Sequence, residues 1–311
     1  TIIESVKRVV LNLCGIKSRG GINIAKNFLE KNNHLDIFIL YDNESLNKFK
    51  GNYKKKLISI PRYLHPFLNL FLSQDTRESI NQSDLIIHFG NFGFKSKIKT
   101  LTFIQNILPL VSPFSSFRNM FLRLLYIFSF SISEEIIVQQ EHVAKHINSK
   151  KTRIIGTLIS KKVKQNNEGG FVLIVDDNKN KNPEFLIKLT NKLIELKHEV
   201  TVINTSNFTI SNSAKVVESP NHDELLNIFK KNQTYIHASE YETVGLPIYE
   251  ALNIGLKVVV PEKDYLSMEN PNIFRYKNGN LESAVQACLN SNNKKSDFEE
   301  IPVYVENWGL T

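Results

Sequence analysis

YIHASEYETVGLPIYEALNIGLKVVVP, residues 235–261, contains a strand, a turn, a helix and a second strand in close succession. The first apolar run ends at Ala238, and a Gly-Leu-Pro turn opens a helix near Leu246. Pro247 suits this position because its fixed backbone angle matches the first turn of a helix. A second run of β-branched residues follows Gly255. A strand–helix–strand unit of this kind predicts two parallel strands in one sheet.

The same alternation of strand and helix extends in both directions along the chain. In the first half, the predicted strands are residues 9–13, 35–41, 57–60, 84–89, 100–104 and 135–138, and the predicted helices 21–31, 65–72, 116–130 and 141–148. In the second half, the predicted strands are residues 171–175, 199–204, 215–218, 234–238 and 256–260, and the predicted helices 184–196, 223–231, 246–253 and 281–289. Because the strands are apolar almost throughout, helices must cover both sheet faces. The sequence therefore predicts an α/β fold with two consecutive doubly wound, Rossmann-like domains.

The charge differs in sign between the two halves. The chain has 39 Lys and Arg and 31 Asp and Glu, a formal net charge of +8. Residues 1–165 contain 25 basic and 11 acidic residues, hence a net charge of +14, and residues 166–311 contain 14 and 20, hence −6. Residues 159–170 form a polar stretch with a Gly pair, and the sign of the net charge changes there. We therefore expect a basic domain at 1–160, a linker at 161–170 and a second domain at 171–311.

A basic first domain predicts an anionic partner, which is a nucleic acid, a membrane surface or a phosphorylated acceptor. Nucleic acid is excluded from our prediction because no helix-turn-helix, RNA-binding sheet motif or zinc-ligand spacing occurs. Residues 65–72 and 116–130 are rich in aromatic and apolar residues, and 116–130 also contains Arg118 and Arg123, as in helices that lie on an anionic bilayer. Core helices with solvated charges explain these segments equally well.

Cysteine usage and hydropathy indicate the compartment. Cys14 and Cys288 are far apart in the sequence and have no metal-ligand spacing, which predicts neither a disulfide framework nor a metal site. The sequence starts without the layout of a signal peptide, and no apolar run reaches the ~18 residues of a spanning helix. We expect a cytoplasmic protein, with peripheral attachment to the inner face of the cytoplasmic membrane as an option.

The turn at Gly245 is the main candidate for a binding site. Glycine lets the backbone approach a ligand closely, and the free N–H groups of the helix start favour an anion such as a diphosphate. Glu242 precedes the turn and Glu250 lies about one turn inside the helix, so two carboxylates bracket it. One is placed to approach a ligand's reacting end and the other to accept hydrogen bonds from hydroxyl groups. A plain strand-to-helix turn with two solvated glutamates is the alternative.

The residues around this turn resemble the signature of family 4 glycosyltransferases. These are retaining enzymes with the GT-B fold, in which two Rossmann-like domains face an interdomain cleft. Their signature has Pro-Ser-x-x-Glu, then Gly-Phe-Gly-Leu-Pro, then a second Glu and Ala-x-Ala-x-Gly-x-Pro-Val-Val. In this chain, the matching positions are His237-Ala238-Ser239, Glu242, Thr243-Val244-Gly245-Leu246-Pro247, Glu250, Ala251, Gly255 and Val258-Val259.

The resemblance assigns a role to each part of this run. It implies that Glu242 is a catalytic residue beside the transferred sugar and its phosphates. It implies that Glu250 binds the ribose of the nucleotide. The loop that holds the diphosphate through its amides comprises Thr243, Val244, Gly245 and Leu246.

Arg19-Gly20-Gly21 resembles the family's Gly-Gly turn at the start of the first helix. In the family this turn faces the donor diphosphate, so the resemblance makes Arg19, Gly20 and Gly21 donor-binding residues. It is not a Gly-x-Gly-x-x-Gly dinucleotide motif. A plain tight turn is the alternative.

Lys181 resembles the lysine of a Lys-Asn-Pro-Glu segment that meets the donor phosphates in the family. A solvated lysine at a helix start is the alternative. The family has an Arg about five residues earlier, where this chain has Asp176 and Asp177. A carboxylate repels a diphosphate, so either Lys179 or Arg19 supplies the missing positive charge, or the donor binds in a different position.

The first domain matches the family less closely. His88 follows an apolar run, and strand ends are where open α/β sheets form sites, so His88 is our second catalytic candidate. A core or surface histidine is the alternative. Gln105-Asn106 stands where many members have His-Asp, and neither amide acts as a general base. Retaining enzymes of this type let the leaving phosphate take the acceptor proton, so this loss is tolerable.

The resemblance is specific in residues 171–290 and diffuse before residue 160. It implies a retaining, metal-independent glycosyltransferase with a UDP- or GDP-linked sugar as donor substrate and no further cofactor. The implied acceptor is a lipid-linked glycan or oligosaccharide in lipopolysaccharide, O-antigen or capsule biosynthesis. Two alternatives stay open: another sugar-nucleotide enzyme such as an epimerase, and a degenerate relative that acts as a binding or scaffold subunit.

Overall fold

The computed structural model describes residues 6–16, 19–43, 49, 51, 53–112, 114, 116–156, 169–206, 208–266, 268–294 and 307–310. The chain divides into two compact units. The first unit comprises Thr1–Gly156 and Glu306–Thr311, and the second comprises Thr157–Val305.

The first unit contains a parallel seven-stranded sheet in the order β3-β2-β1-β4-β5-β6-β7. Its strands are β1 (Arg8–Asn12), β2 (Asp36–Tyr41), β3 (Lys54–Leu57), β4 (Leu85–His88), β5 (Lys99–Phe103), β6 (Glu135–Val138) and β7 (Thr152–Ile154). The order reverses between β1 and β4, where Asn12 is paired with both Leu40 of β2 and His88 of β4. The carboxyl ends of β1 and β4 therefore meet at the switch point of the sheet.

Helices connect these strands. They are α1 (Arg19–Lys31), α2 (Gln74–Asn81), α3 (Leu108–Val111), α4 (Phe117–Ile132) and α5 (Glu141–Ile147), with a 3-10 helix at Arg62–Leu70, called the 62–70 helix below. Ser116 starts α4 because its hydroxyl accepts the N–H of Asn119. Asn148 ends α5 in the left-handed conformation, with φ 49°.

The second unit repeats this plan with a parallel six-stranded sheet in the order β10-β9-β8-β11-β12-β13. The strands are β8 (Phe171–Val175), β9 (Val200–Asn204), β10 (Lys215–Glu218), β11 (Thr234–Ile236), β12 (Lys257–Pro261) and β13 (Ile273–Tyr276). The helices are α6 (Pro183–Glu195), α7 (His222–Lys230), α8 (Leu246–Ile254) and α9 (Leu281–Asn293), with a 3-10 turn at Lys179–Lys181. The order reverses between β8 and β11, so the segments after these two strands adjoin.

The α/β prediction with two doubly wound domains is confirmed by the two sheets. The alternation also predicts most elements close to their observed bounds. It missed β7 and β13, which are short edge strands without a continuous apolar run, and the helices α2 and α3. The predicted strand at 57–60 is observed three residues earlier as β3, which consists of Lys54, Lys55, Lys56 and Leu57. A lysine-rich strand is unexpected in a central position and is tolerated here because β3 is at the edge of the sheet.

One domain boundary differs from the prediction. Residues 306–311 were predicted to belong to the second domain, but they belong to the first unit. Trp308 is buried and its ring lies 5.1 to 5.4 Å from those of Phe28, Phe89 and Phe103. Arg153 donates hydrogen bonds to the carbonyls of Asn307 and Trp308. The predicted linker 161–170 lies outside the described residues except for Gly169 and Gly170.

Candidate active site

The candidate site lies at the carboxyl edge of the second sheet. The segment after β8 contains Asp176 and Lys181, and the segment after β11 contains His237 and Glu242. Because β8 and β11 are neighbours, these two segments lie side by side. The predicted residues Lys181 and Glu242, distant in the sequence, are thereby brought into contact.

Lys181, Glu242 and His237 form one charged cluster. The Lys181 ammonium donates a hydrogen bond to Oε1 of Glu242. Nε2 of His237 lies 3.3 Å from the same oxygen, and its Nδ1 lies 3.0 Å from the Tyr235 hydroxyl. The carboxylate favours a proton on Nε2, which leaves Nδ1 to accept from Tyr235. Glu242 is thus held between a cation and an N–H donor.

The cluster fixes the protonation states of its members. Burial opposes ionisation of Glu242, but the charge of Lys181 and the neighbouring His237 outweigh it and hold its pKa well below the ordinary value. Burial lowers the pKa of His237, although Glu242 works in the opposite direction. Near neutral pH, the site therefore contains an ionised Glu242 and a neutral His237.

Asn180 clamps the two loops of the site together. Its side-chain amide donates to the carbonyl of Tyr241 at 2.7 Å and accepts the N–H of Tyr241 at 3.1 Å. Its backbone carbonyl accepts the N–H of Glu240 at 2.8 Å. This clamp sets the path of the chain leading to Glu242. Neither Asn180 nor His237 was among the predicted site residues, although Asn180 directly precedes Lys181 and His237 belongs to the predicted strand 234–238 and to the signature.

Asp176 precedes Lys181 by five residues, where the signature that this chain resembles has an arginine. One of its carboxylate oxygens accepts the N–H of Asn178 at 2.7 Å. The Asn178 side chain then accepts the N–H of Asn180, which starts the 3-10 turn that carries Lys181. Asp176 therefore shapes the loop that presents Lys181 while it adds negative charge to the site.

A cavity of about 110 Å³ opens beside this cluster. Asp176, Lys181, His237 and Ser239 supply its polar lining, and Pro247 of α8 is part of its wall. The Ser239 hydroxyl oxygen is buried and has no hydrogen-bond partner. A buried hydroxyl without a partner is costly, so it is available to a bound ligand. Sequence reasoning included Ser239 only in the signature and gave it no role.

The predicted loop 243–246 leads directly into α8. Gly245 has φ 73° and ψ 46°, the left-handed conformation, which glycine adopts without a steric penalty. Leu246 and Pro247 begin the helix; the N–H of Leu246 faces the loop, whereas Pro247 has no N–H and Ile248 donates its own to the Gly245 carbonyl. The Val244 side chain is buried in the apolar core and Thr243 precedes it in the turn, so Val244 contributes to a ligand site only through its backbone.

Glu250 lies one turn farther along α8. Its Oε1 is 3.8 Å from Nε2 of His222, the first residue of α7, which Asn221 caps. Burial raises the pKa of Glu250, and His222 partly offsets this. The charges of Glu242, Glu250 and Asp176 add to burial in raising the pKa of Tyr235 well above its usual value. The two bracketing glutamates therefore both act electrostatically on one buried tyrosine.

The first unit brings two of its predicted segments together. Gly20 and Gly21 lie in the first turn of α1, and a Cβ on Gly21 would collide with the side-chain oxygen of Gln105. Asn91 accepts the backbone N–H groups of Gln105 and Asn106 at 2.6 and 3.0 Å. The glycine turn and the Gln-Asn pair are thus neighbours. Arg19 begins α1, but its side chain lies outside the described part of the structure.

His88 does not have the surroundings of a catalytic residue. It is 0% exposed, its Nδ1 accepts a hydrogen bond from the Asn12 amide at 3.1 Å, and its ring meets Phe94 at 4.7 Å. Burial lowers the pKa of His88 to about 3. The strand-end position is as predicted, but phenylalanine and backbone cover the ring. The structure supports the core-histidine alternative.

Asp42 and His65 at the same sheet edge were not predicted. Oδ2 of Asp42 accepts the N–H of Gly15 at 3.0 Å, which ties the end of β2 to the loop that precedes α1. The same oxygen lies 3.6 Å from Nε2 of the buried His65. Asp42 and His65 are separated by a predicted strand, so nothing in the local sequence indicated this contact.

The described residues contain neither a cluster of metal-ligand side chains nor a helix suited to span a membrane. No three or more His, Cys, Asp or Glu side chains in this part of the chain are grouped to hold a metal ion. None of the helices described here combines the length and apolar character needed to cross a membrane.

Solved structures share this architecture over most of the chain. A sucrose-phosphate synthase from Thermosynechococcus elongatus is similar with a TM-score of 0.69 and 13% identity, over 91% of this chain and 89% of that one. HepE from Anabaena, solved with UDP and glucose, has a TM-score of 0.65 and 13% identity over 92% and 93% of the two chains. WaaG, a glycosyltransferase involved in lipopolysaccharide biosynthesis, has a TM-score of 0.63 and 11% identity over 92% and 90%.

At such low identity these likenesses establish the fold and no more. No protein-family model and no curated protein sequence matches the chain. The structural neighbours are glycosyltransferases of the GT-B type, which is the architecture that the sequence resemblance implies. The chain therefore has the GT-B fold.

Proposed function

We propose that the protein is a retaining, metal-independent glycosyltransferase that uses a nucleotide-linked sugar. The observation that carries this proposal is the Lys181–Glu242–His237 cluster, held beside the amino end of α8 at the carboxyl edge of the second sheet. Ligands of open α/β sheets bind at this edge, next to the switch point. The signature residues that resemble family 4 coincide with this edge.

Each group at the site suits one part of a nucleoside diphosphate sugar. The free N–H groups at Gly245 and Leu246 suit the diphosphate. The Lys181 ammonium has three N–H donors, so it can bind a phosphate oxygen while it remains beside Glu242. The Glu250 carboxylate suits the ribose hydroxyls.

The reaction breaks the bond between the sugar C1 and the diphosphate oxygen and forms a bond from C1 to an acceptor oxygen. Negative charge develops on the leaving diphosphate, and prepositioned N–H groups and Lys181 stabilise it. The acceptor proton passes to a phosphate oxygen of the leaving group. In our proposal, the charge of the Glu242 carboxylate stabilises the positive charge that develops on the sugar.

UDP is the first donor nucleotide to test, since HepE is described with UDP and glucose. GDP is the second. We propose a glycan acceptor that is lipid-linked or an oligosaccharide, in lipopolysaccharide or O-antigen assembly. WaaG and the galactosyltransferase WaaB of the lipopolysaccharide outer core, which are similar in fold, support this choice.

Calorimetry with UDP, GDP and their glucose, galactose and mannose conjugates tests the donor proposal. We expect one nucleotide to bind wild-type protein in the presence of EDTA and to bind Glu250→Gln at least tenfold more weakly. Glu282→Gln, an exposed glutamate of α9, is the matched control and should bind like wild type. The reaction is tested by the transfer of a radiolabelled sugar to extracted lipid acceptors. We expect transfer by the wild-type protein and none by Glu242→Gln.

Asp176 favours one rival function, a subunit that binds or scaffolds without transfer, because its charge opposes a diphosphate in the cavity. Absence of binding for every nucleotide in the panel would contradict our proposal and favour this rival. Release of an epimerised sugar nucleotide without transfer would favour an epimerase.

A further inference from the structure

One surface of the first unit is unusually apolar. Phe117 at the start of α4 is 80% exposed and Leu70 at the end of the 62–70 helix is 72% exposed. Phe71, Phe121, Leu124 and Ile127 are exposed as well. In the described part of the second unit, the exposed large apolar side chains are Leu196 and Val216. We call the side chains of Leu70, Phe71, Phe117, Phe121, Leu124 and Ile127, which are six of the exposed large apolar side chains of the first unit, the apolar patch.

The patch follows from the sequence of α4. Phe117, Phe121 and Leu124 recur at intervals of four and three residues, which places them on one face of the helix. Leu125, Tyr126 and Ser129 are buried on the opposite face. A helix that is apolar on both faces normally has a second apolar partner, but in this unit the outward face of α4 is exposed to solvent.

The 62–70 helix extends the same surface. The ring of Phe67 lies 5.6 Å from that of Phe128, so the 62–70 helix packs against α4. The exposed residues Leu70 and Phe71 thereby join those of α4. The two helices form one continuous surface and not two isolated apolar spots.

The charged residues on α4 and in the chain leading to it are basic. Arg118 and Arg123 are exposed on α4. The exposed Lys95 adjoins the 62–70 helix, because Asn69 donates a hydrogen bond to its carbonyl. Residues 85–133 contain no Asp or Glu. A second copy of this surface would bring arginines against arginines, which disfavours a symmetric dimer.

We propose that the apolar patch docks on an anionic lipid bilayer, with its aromatic and aliphatic side chains in the boundary between headgroups and acyl chains. Apolar side chains flanked by arginine and lysine match that boundary, since the bilayer offers both hydrocarbon and negative charge. This inference concerns a surface of the first unit and does not depend on the proposed transfer reaction.

Flotation with vesicles tests the proposal without a substrate. We expect wild-type protein to bind phosphatidylcholine vesicles containing phosphatidylglycerol at least tenfold better than vesicles of phosphatidylcholine alone, and raised salt to weaken this binding. Phe121→Gln/Leu124→Gln should lose at least tenfold in binding. Leu196→Gln/Val216→Thr, the matched control, replaces exposed apolar residues of the second unit and should bind like wild type.

The basic residues are tested separately. Arg118→Gln/Arg123→Gln should lose the preference for anionic vesicles, whereas Lys188→Gln/Lys230→Gln in the second unit should retain it. Circular dichroism checks that every variant is folded. Equal binding to neutral and anionic vesicles, or unchanged binding of the patch variant, would overturn the proposal. A wild-type dimer in light scattering that becomes a monomer in Phe121→Gln/Leu124→Gln would assign the patch to a second copy instead.

Discussion

Lys181 and Glu242 form an ion pair at the carboxyl edge of the second sheet, although 61 residues separate them in the sequence. The Glu242 side chain is 12% exposed and that of Lys181 29%. Both charges are therefore largely removed from water, and each depends on the other. This interdependence makes the pair important for stability as well as for the site.

Lys181→Met should destabilise the second unit by about 2–3 kcal/mol, because it leaves a buried carboxylate without its cation. Lys192→Met is the control. Lys192 pairs with Glu195 on the surface of α6, so its substitution should lower the free energy of unfolding by no more than about 0.5 kcal/mol. Urea denaturation measures both. The double variant Lys181→Met/Glu242→Gln should recover part of the loss. Equal costs for the two single variants would contradict the buried-pair interpretation.

His88 should make the first unit sensitive to acid. The pKa of His88 is lowered to about 3, so the folded state excludes a proton that the unfolded state binds below about pH 6.5. The stability of the first unit should therefore fall as the pH decreases from 6.5 to 3, by up to about 1.4 kcal/mol per pH unit.

Trp308 is the single tryptophan of the chain and belongs to the first unit, so its fluorescence reports this unfolding. His88→Gln should flatten the pH dependence, and His34→Gln, at an exposed position, should leave it unchanged. A wild-type stability that stays constant between pH 6.5 and 4 would show that the imidazole is not held neutral.

Gly245 and Gly279 offer a matched pair of glycines. Their φ values are 73° and 71°, so alanine should cost about 1 kcal/mol at either position. A Cβ on Gly279 meets nothing within 4 Å, whereas one on Gly245 comes within 3.1 Å of Ile248. Thermal unfolding should show that Gly245→Ala and Gly279→Ala lower the stability by similar amounts. Nucleotide binding, measured by calorimetry, should weaken only in Gly245→Ala, and a parallel loss in Gly279→Ala would remove the site assignment.

Nucleotide binding should depend on pH through Glu250. Burial raises the pKa of Glu250, so its carboxylate becomes protonated at a higher pH than usual and then accepts hydrogen bonds from ribose less well. We expect affinity to fall as the pH is lowered from 7.5 to 5, and this fall to vanish in Glu250→Gln. His222→Gln should shift the midpoint upward, because His222 opposes the rise in the pKa of Glu250. A midpoint that does not move would exclude this coupling.

The strand–helix alternation made the fold predictable. Apolar parallel strands such as β8 and β12 stand out, because both of their faces are covered. The edge strand β3 cannot be recognised in this way, since three of its four residues are lysines. The packing of Trp308 could not be predicted from the local sequence either, because its pocket is formed by residues that are distant in the sequence, Phe28, Phe89 and Phe103.

The site was predictable where a local motif carried it. Gly245 and Glu242 belong to one short run, and their placement follows from a turn that only glycine fits well. Asn180 and His237 act through contacts with another strand's loop, so a linear pattern does not identify them. A linear pattern also left two alternatives open for His88: its position at a strand end suits a site, but its burial and the contact with Phe94 are those of a core histidine.

The packing of Trp308 has a consequence for how the protein is made. A ribosome synthesises all of the second unit, which ends at Val305, before it adds the tryptophan that completes the aromatic core of the first. The amino-terminal unit therefore cannot be completed before the second unit has been synthesised, which differs from the usual order of domain folding during translation. Until Trp308 has been added, the nascent first unit lacks the ring that packs against Phe28, Phe89 and Phe103 in its core.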